Sequence, residues 1–240
     1  TDPRIEKVAR ILVDYSVQVE PGDLVMLSGK TPAAPMLEAI YRLALLRGGF
    51  VQTNIGLPGL SEFFMRNASP EQLRHLSPIE SLAVEQYQKF IYIMSDDNTR
   101  SMSSVDPTRQ VERQRAREPL MQREMEREAA GELKWVLSLF PTQAYAQDAD
   151  MSLQEYEDFV YGACLPEPED PIGYWQRFAV YQEAWAKWME GRQRVRIVGR
   201  DTDLSFSIAG RKFISCDGKN NFPDGEIYTG PVEDSVNGVV

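Results

Sequence analysis

Histidine is nearly missing from this sequence: His75 stands alone among 240 residues, and cysteine occurs twice, at Cys164 and Cys216. One imidazole and two distant thiols do not make a complete zinc site in any usual way. The cysteines have neither metal-type nor redox spacing, and a reduced, cytoplasmic setting is their plain reading. Long apolar runs are missing too. No stretch approaches the length of a membrane span, and the N-terminal TDPRIEKVARIL is charged rather than signal-like. Positive charge is scarce: 26 Lys and Arg against 36 Asp and Glu leave a net charge of −10. That balance argues against nucleic acid, whose backbone needs cationic neutralisation, and against an anionic membrane surface. Neither G-x-S-x-G nor H-E-x-x-H occurs, which excludes the familiar nucleophile and zinc-helix signatures.

What the chain does have is enough apolar material for a core, 42% of residues, with 10% aromatic. Ile5, Val8, Ala9, Leu12 and Val13 share one helical face. Leu24 to Leu27 suits a buried strand, and Thr31-Pro32 predicts an N-cap followed by a helix running to Gly48. Phe50 to Leu57, Lys89 to Ser95 and Leu133 to Phe140 are the next strands. Ser69-Pro-Glu-Gln72, Ser77-Pro-Ile-Glu80 and Ser152-Leu-Gln-Glu155 have the form of capping boxes. A long helix from Pro107 to about Ala130 contains Pro119, which predicts a kink or break near Glu118. This alternation predicts an α/β fold, a mainly parallel sheet flanked by helices. After residue 191 the pattern changes to short alternating strands split by glycines. The expected domains are therefore 1–191, α/β, and 192–240, the first antiparallel strands of a second, β-rich domain.

Several segments invite functional readings that their residues do not support. Leu24 to Thr31 ends in Gly-Lys-Thr like a phosphate-binding loop, but Val25, Met26 and Leu27 belong in a strand and Pro32 removes an amide. The arginines between Arg109 and Arg127 alternate with acids, and Arg109/Glu112, Arg115/Glu118 and Glu124/Arg127 are spaced to pair along a solvated helix. Tyr174, Trp175, Phe178, Tyr181 and Trp185 form a helical stripe whose default is core packing. Pro223-Asp-Gly is a turn, after which Glu226 and Tyr228 face one side of a strand and Ile227 the other. On spacing alone this is a surface hairpin.

The stretch Asn221-Phe-Pro-Asp-Gly-Glu226-Ile-Tyr-Thr-Gly-Pro231, with Asp201-Thr-Asp-Leu204, Val105-Asp-Pro107, Phe140-Pro-Thr142 and Met151 to Phe159, resembles the aminopeptidase T family of thermophilic metalloaminopeptidases. The resemblance extends over essentially the whole chain. It implies an N-terminal α/β domain followed by a catalytic domain with two divalent metal ions, cobalt or zinc, with magnesium as a further option. It also implies a cytoplasmic homodimer acting on peptides with a free N-terminus. Glu226 matches the first metal ligand, and Tyr228 is a candidate for lining the site. The other ligands and the catalytic groups are expected beyond residue 240, so the expectation is the N-terminal part of an aminopeptidase, inactive by itself. The rival expectations are a non-catalytic α/β binding or dimerisation module, and a small-ligand domain using the crevice at the carboxyl ends of the strands.

Overall fold

The computed structural model describes residues 2–240. The chain divides into two compact units, Thr1–Pro171 with Lys219–Pro223, and Ile172–Gly218 with Asp224–Val240.

In the first unit, Asp2 caps α1 (Pro3–Ile11) by accepting the Arg4 N–H at 2.8 Å, with Pro3 in the first turn. A π-helical turn, Leu12–Ser16, continues it. There follow β1 (Leu24–Lys30), α2 (Ala34–Leu46), β2 (Phe50–Gly56), α3 (Leu60–Asn67), α4 (Pro70–Arg74) and α5 (Pro78–Gln86). Then come β3 (Lys89–Met94), α6 (Pro107–Ala129), β4 (Lys134–Leu139), α7 (Gln143–Asp148) and α8 (Leu153–Cys164). All neighbouring strands are parallel, in the order β2-β1-β3-β4. The expected α/β sheet is present, and strand alternation gives it two packed faces. Val25, Leu27, Ile91 and Val136 are fully buried. The alternate positions Met26 and Phe90 cluster with Ala83 of α5 and with Leu133, against Tyr87, Tyr92 and Trp135.

Four local expectations are revised. Thr31 does not cap a helix; Thr31–Ala33 is a 3₁₀ turn without a side-chain cap. Ser69 and Ser152 form complete capping boxes, whereas Ser77 accepts only from the Ile79 N–H and Glu80 does not fold back. The α6 helix runs through Pro119, so of the expected kink or break the break is absent. Its arginines are not a solvated ladder. Arg109 donates to the Met65 and Ala68 carbonyls at 2.6 and 2.5 Å, and Arg113 to the Leu73 and His75 carbonyls at 3.3 and 2.7 Å. Buried Arg127 donates to the Val84 and Tyr87 carbonyls at 2.6 and 2.9 Å. One long helix thus supplies donors to the orphaned C-terminal carbonyls of α3, α4 and α5 in turn, which water would otherwise have to satisfy. The acids pair across helices, as in Arg74–Glu112 at 3.0 Å and Arg123–Glu85 at 2.9 Å.

Residues 219–223 add a short extended piece to β4. Leu137 N–H donates to the Asn220 carbonyl at 2.7 Å, and Phe222 N–H donates to the Leu137 carbonyl at 2.9 Å.

The second unit holds α9 (Pro171–Glu190, all but its first residue), β5 (Arg194–Gly199), β6 (Thr202–Ser207), β7 (Ile214–Ser215), β8 (Ile227–Tyr228) and β9 (Asn237–Val239). β5, β6 and β9 form one antiparallel sheet, and β7 with β8 another. The second compact unit begins at Ile172 and so includes α9 along with these strands. Phe178 packs against Gly225, where an added Cβ would lie 3.3 Å from the ring. The aromatic stripe is only half core: Trp175 is buried, while Tyr181, Trp185 and Trp188 are exposed in an edge-to-face series.

Candidate metal centre

The expected ligand, Glu226, stands at the entrance of β8. Pairing of Ser215 with Ile227 and Ile214 with Tyr228 sets the register of the β7–β8 hairpin. The Glu226 carbonyl accepts from the Cys216 N–H at 2.9 Å and from Gln182 Nε2 at 3.2 Å, so its main chain is held from two sides. In the preceding turn, Asp224 Oδ1 accepts from the Gly225 N–H at 2.7 Å and the Glu226 N–H at 3.4 Å.

Pairing and turn together bring Cys216, Asp224 and Glu226 into one cluster, with their ligand atoms within 4.8 Å of one another. Cys216 and Asp224 are half-buried, and Glu226 is exposed. Burial pushes the Cys216 thiol up to about 11, helped by the charges of Asp224, Glu226 and Asp217 and by its hydrogen bond to Asp224. Two carboxylates and a thiol crowded together are an acidic pocket that a divalent cation would relieve, taking the sulfur as thiolate by displacing its proton. Sulfur and carboxylate oxygen are both normal zinc donors, so the residues present fit such an ion.

Sequence reasoning named Glu226 alone. Asp224 is visible as part of the turn, but no metal-type spacing marks Cys216, since no second cysteine lies near it. Its relation to Glu226 runs across a hairpin, and only the β7–β8 pairing reveals it. Tyr228 is not among the three donors; it is half-exposed on β8, on the side opposite Ile227 by strand alternation. His75 ends α4 in the first unit, where its carbonyl serves Arg113.

At the carboxyl ends of β1 and β3, where the strand order reverses, a small pocket of about 120 Å³ is lined by Lys30 and Asp96 among others, and these groups are bonded within the protein. Lys30 pairs with Asp96, whose Oδ2 accepts from the Tyr145 hydroxyl at 3.0 Å. The Asp96 N–H donates to that hydroxyl at 3.1 Å, and Thr142 Oγ1 donates to the Asp96 carbonyl at 2.6 Å. Burial pushes the Tyr145 phenol up to about 12. Lys30, the lysine of the Gly-Lys-Thr triplet, is committed to a carboxylate rather than aimed at a phosphate.

Among solved structures, wild-type AmpT from Thermus thermophilus shares 17% identity with a TM-score of 0.76, covering 99% of this chain and 64% of that one. The 2,5-dihydroxypyridine dioxygenase from Pseudomonas putida KT2440 shares 10% identity with a TM-score of 0.51, covering 98% of this chain and 58% of that one. At these identities the likeness is one of fold, and the chain spans less than two thirds of the length of either protein. No curated protein matches the sequence. A family match does cover the chain from end to end, and by it residues 1–240 belong to the thermophilic metalloprotease (M29) family.

Proposed function

We propose that this chain is the N-terminal part of a metal-dependent aminopeptidase, and that Glu226 is one ligand of its two-metal site. The observation that carries the proposal is the convergence of Glu226 with Asp224 and Cys216 in a chain of the metalloprotease family. Glu226 and Asp224 would hold a divalent ion through carboxylate oxygens, with Cys216 as a third donor. When bound, such a pair of ions lowers the pKa of a water and polarises the scissile carbonyl. The hairpin register and Gln182 hold the Glu226 main chain in place, which orients a side chain that is otherwise exposed. Tyr228, two residues along, would line the approach of a peptide with a free N-terminus. The remaining ligands and the general base would come from beyond residue 240, so this chain alone is expected to show no turnover.

The two cysteines, neither in a disulfide, support a reducing, cytoplasmic location. Exposed Phe50 and Ile55 on the edge strand β2 support a homodimer, because natural edges of that kind are normally covered. Sedimentation would show the dimer.

The test has two parts. Cobalt titrated into the chain should give a thiolate-to-cobalt absorption band that weakens in Glu226→Gln. The chain extended by its natural continuation should hydrolyse leucine p-nitroanilide only with divalent metal. Activity of the isolated chain, or activity of the extended chain that survives a chelator, would overturn the proposal.

A further inference from the structure

The first unit contains a cavity of about 790 Å³ between the sheet and the helices α4 to α6. Its floor is the Met26, Phe90 and Tyr92 face of β1 and β3, and Glu80, Arg113, Arg117 and Glu124 line it. The volume is in the range of small-molecule sites, and the cavity meets solvent past Ile79, Leu82 and Met121, all exposed.

The polar groups in this cavity are under-used. Glu80 Oε2 is buried without a hydrogen-bond partner, and its nearest cation, Arg113 Nη2, lies 3.6 Å away. Glu80 is available because the capping box expected at Ser77 does not close, leaving its carboxylate turned to the cavity. Among the described residues Glu124 makes no hydrogen bond and no ion pair, and burial holds its carboxyl above the usual range. Arg117 makes no hydrogen bond and approaches Glu80 only at 4.0 Å. The Tyr92 hydroxyl also makes none, while burial raises its pKa. Arg113 differs, since it is committed to the Leu73 and His75 carbonyls. Of these groups Glu80 Oε2 is the buried atom whose missing partner costs stability, whereas Glu124 and Tyr92 are half-buried and Arg117 is exposed at the cavity mouth.

We infer that this cavity binds an α-amino acid with a large apolar side chain, or a dipeptide carrying one, as its zwitterion. The ammonium group would be taken by Glu80 and Glu124, the carboxylate by Arg117, and the side chain by the floor of Met26 and Phe90. Two carboxylates and two guanidinium groups balance, which suits a ligand with both charges and opposes phosphate-rich ones. Carboxylates beside the aromatic rings of Tyr92 and Phe90 also favour an ammonium group. The inference goes beyond the metalloaminopeptidase proposal and stands without it, because every residue concerned lies outside the metal cluster.

Calorimetric titration of the chain with L-phenylalanine, in the presence of a chelator, tests it. Saturable binding is expected below about 10 mM, with affinity falling about tenfold or more in Glu124→Gln and in Arg117→Gln. Phenethylamine and hydrocinnamate, each lacking one charge, should bind about tenfold more weakly than the zwitterion. Glu226→Gln should leave the binding unchanged. Circular dichroism establishes that each variant is folded. Absence of saturation in the folded chain, or unchanged affinity in either cavity variant, would overturn the inference. So would binding that disappears with Glu226→Gln or with the chelator, since that places the ligand at the metal centre. The hydrolysis assay of the extended chain is unaffected by any of these results, so the two proposals fail separately.

Discussion

Replacing Arg127 by methionine should be among the most damaging single changes in the first unit. The Arg127 side chain is 6% exposed and donates to the Val84 and Tyr87 carbonyls at 2.6 and 2.9 Å. Methionine keeps much of the apolar stem but supplies no donor, so two acceptors at the end of α5 lose their partners. A buried acceptor left unsatisfied costs about 1–3 kcal/mol, which puts the loss near 3 kcal/mol after relaxation. With a urea dependence of about 3 kcal/mol per molar, the unfolding midpoint should fall by about 1 M. Arg123→Met is the control. Arg123 grips Glu85 through contacts of 2.9, 3.1 and 3.0 Å, a better-looking ion pair, yet both side chains are exposed, 41% and 52%. Solvent screens such a pair, and its loss should move the midpoint little. Urea denaturation followed by circular dichroism reads both variants. If Arg127→Met shifts the midpoint no more than Arg123→Met, the idea that α6 supplies the C-terminal donors of its neighbours is wrong.

Gly238→Ala should detach β9 from β6, because Gly238 has φ +136° and an added Cβ would lie 2.0 Å from the Asp203 carbonyl oxygen. Amide exchange of Asp203 to Ser205 should accelerate, and unchanged protection would refute the reasoning. Asp2 hydrogen-bonds to Arg4 and its carboxyl is held below the usual 3.8. On acidification the unfolded chain therefore protonates this group first. Its contribution is complete above the ordinary carboxylate range and is lost as pH falls through the lower native value. Asp2→Asn should be less stable than the parent at neutral pH, and the gap should close under strong acid; a gap that widens there would contradict the assignment. Burial pushes the Cys164 thiol up to about 12, so iodoacetamide should leave it unmodified in the native chain near pH 8 and label it on unfolding. Native labelling at Cys164, located by peptide mass, would count against the packing described for α8.

The strands were legible because buried parallel strands are continuous apolar runs, as in Leu24 to Leu27 and Lys89 to Met94. The boxes at Ser69 and Ser152 were legible because both partners lie within one turn. At Glu80, Arg109 and Arg127 the observed partners differ from the expected ones for one common reason. Each has plausible local partners three or four residues away, but the bonds of Arg109 and Arg127 to main-chain carbonyls span 41 to 44 and 40 to 43 positions respectively. A guanidinium on a helix face prefers an unsatisfied carbonyl sheltered from water to an exposed carboxylate that water already solvates. Which of these lies within reach depends on how the helices pack.

By itself the sequence determined the alternating α/β order, the change to short strands after the aromatic helix, and Glu226 as the residue to examine. Composition and local periodicity carry the first two, because hydrophobic spacing selects helix or strand before any partner is chosen, whereas Glu226 stands out only through the resemblance to a known family. Tertiary structure decided the rest. It placed Cys216 and Asp224 beside Glu226, paired Asp96 with Lys30 and Tyr145 at the strand ends, and left Glu80 and Glu124 facing a cavity. The physical reason is the same in each place. These groups meet through hairpin register and helix packing, so their chemistry exists only once distant segments share one site.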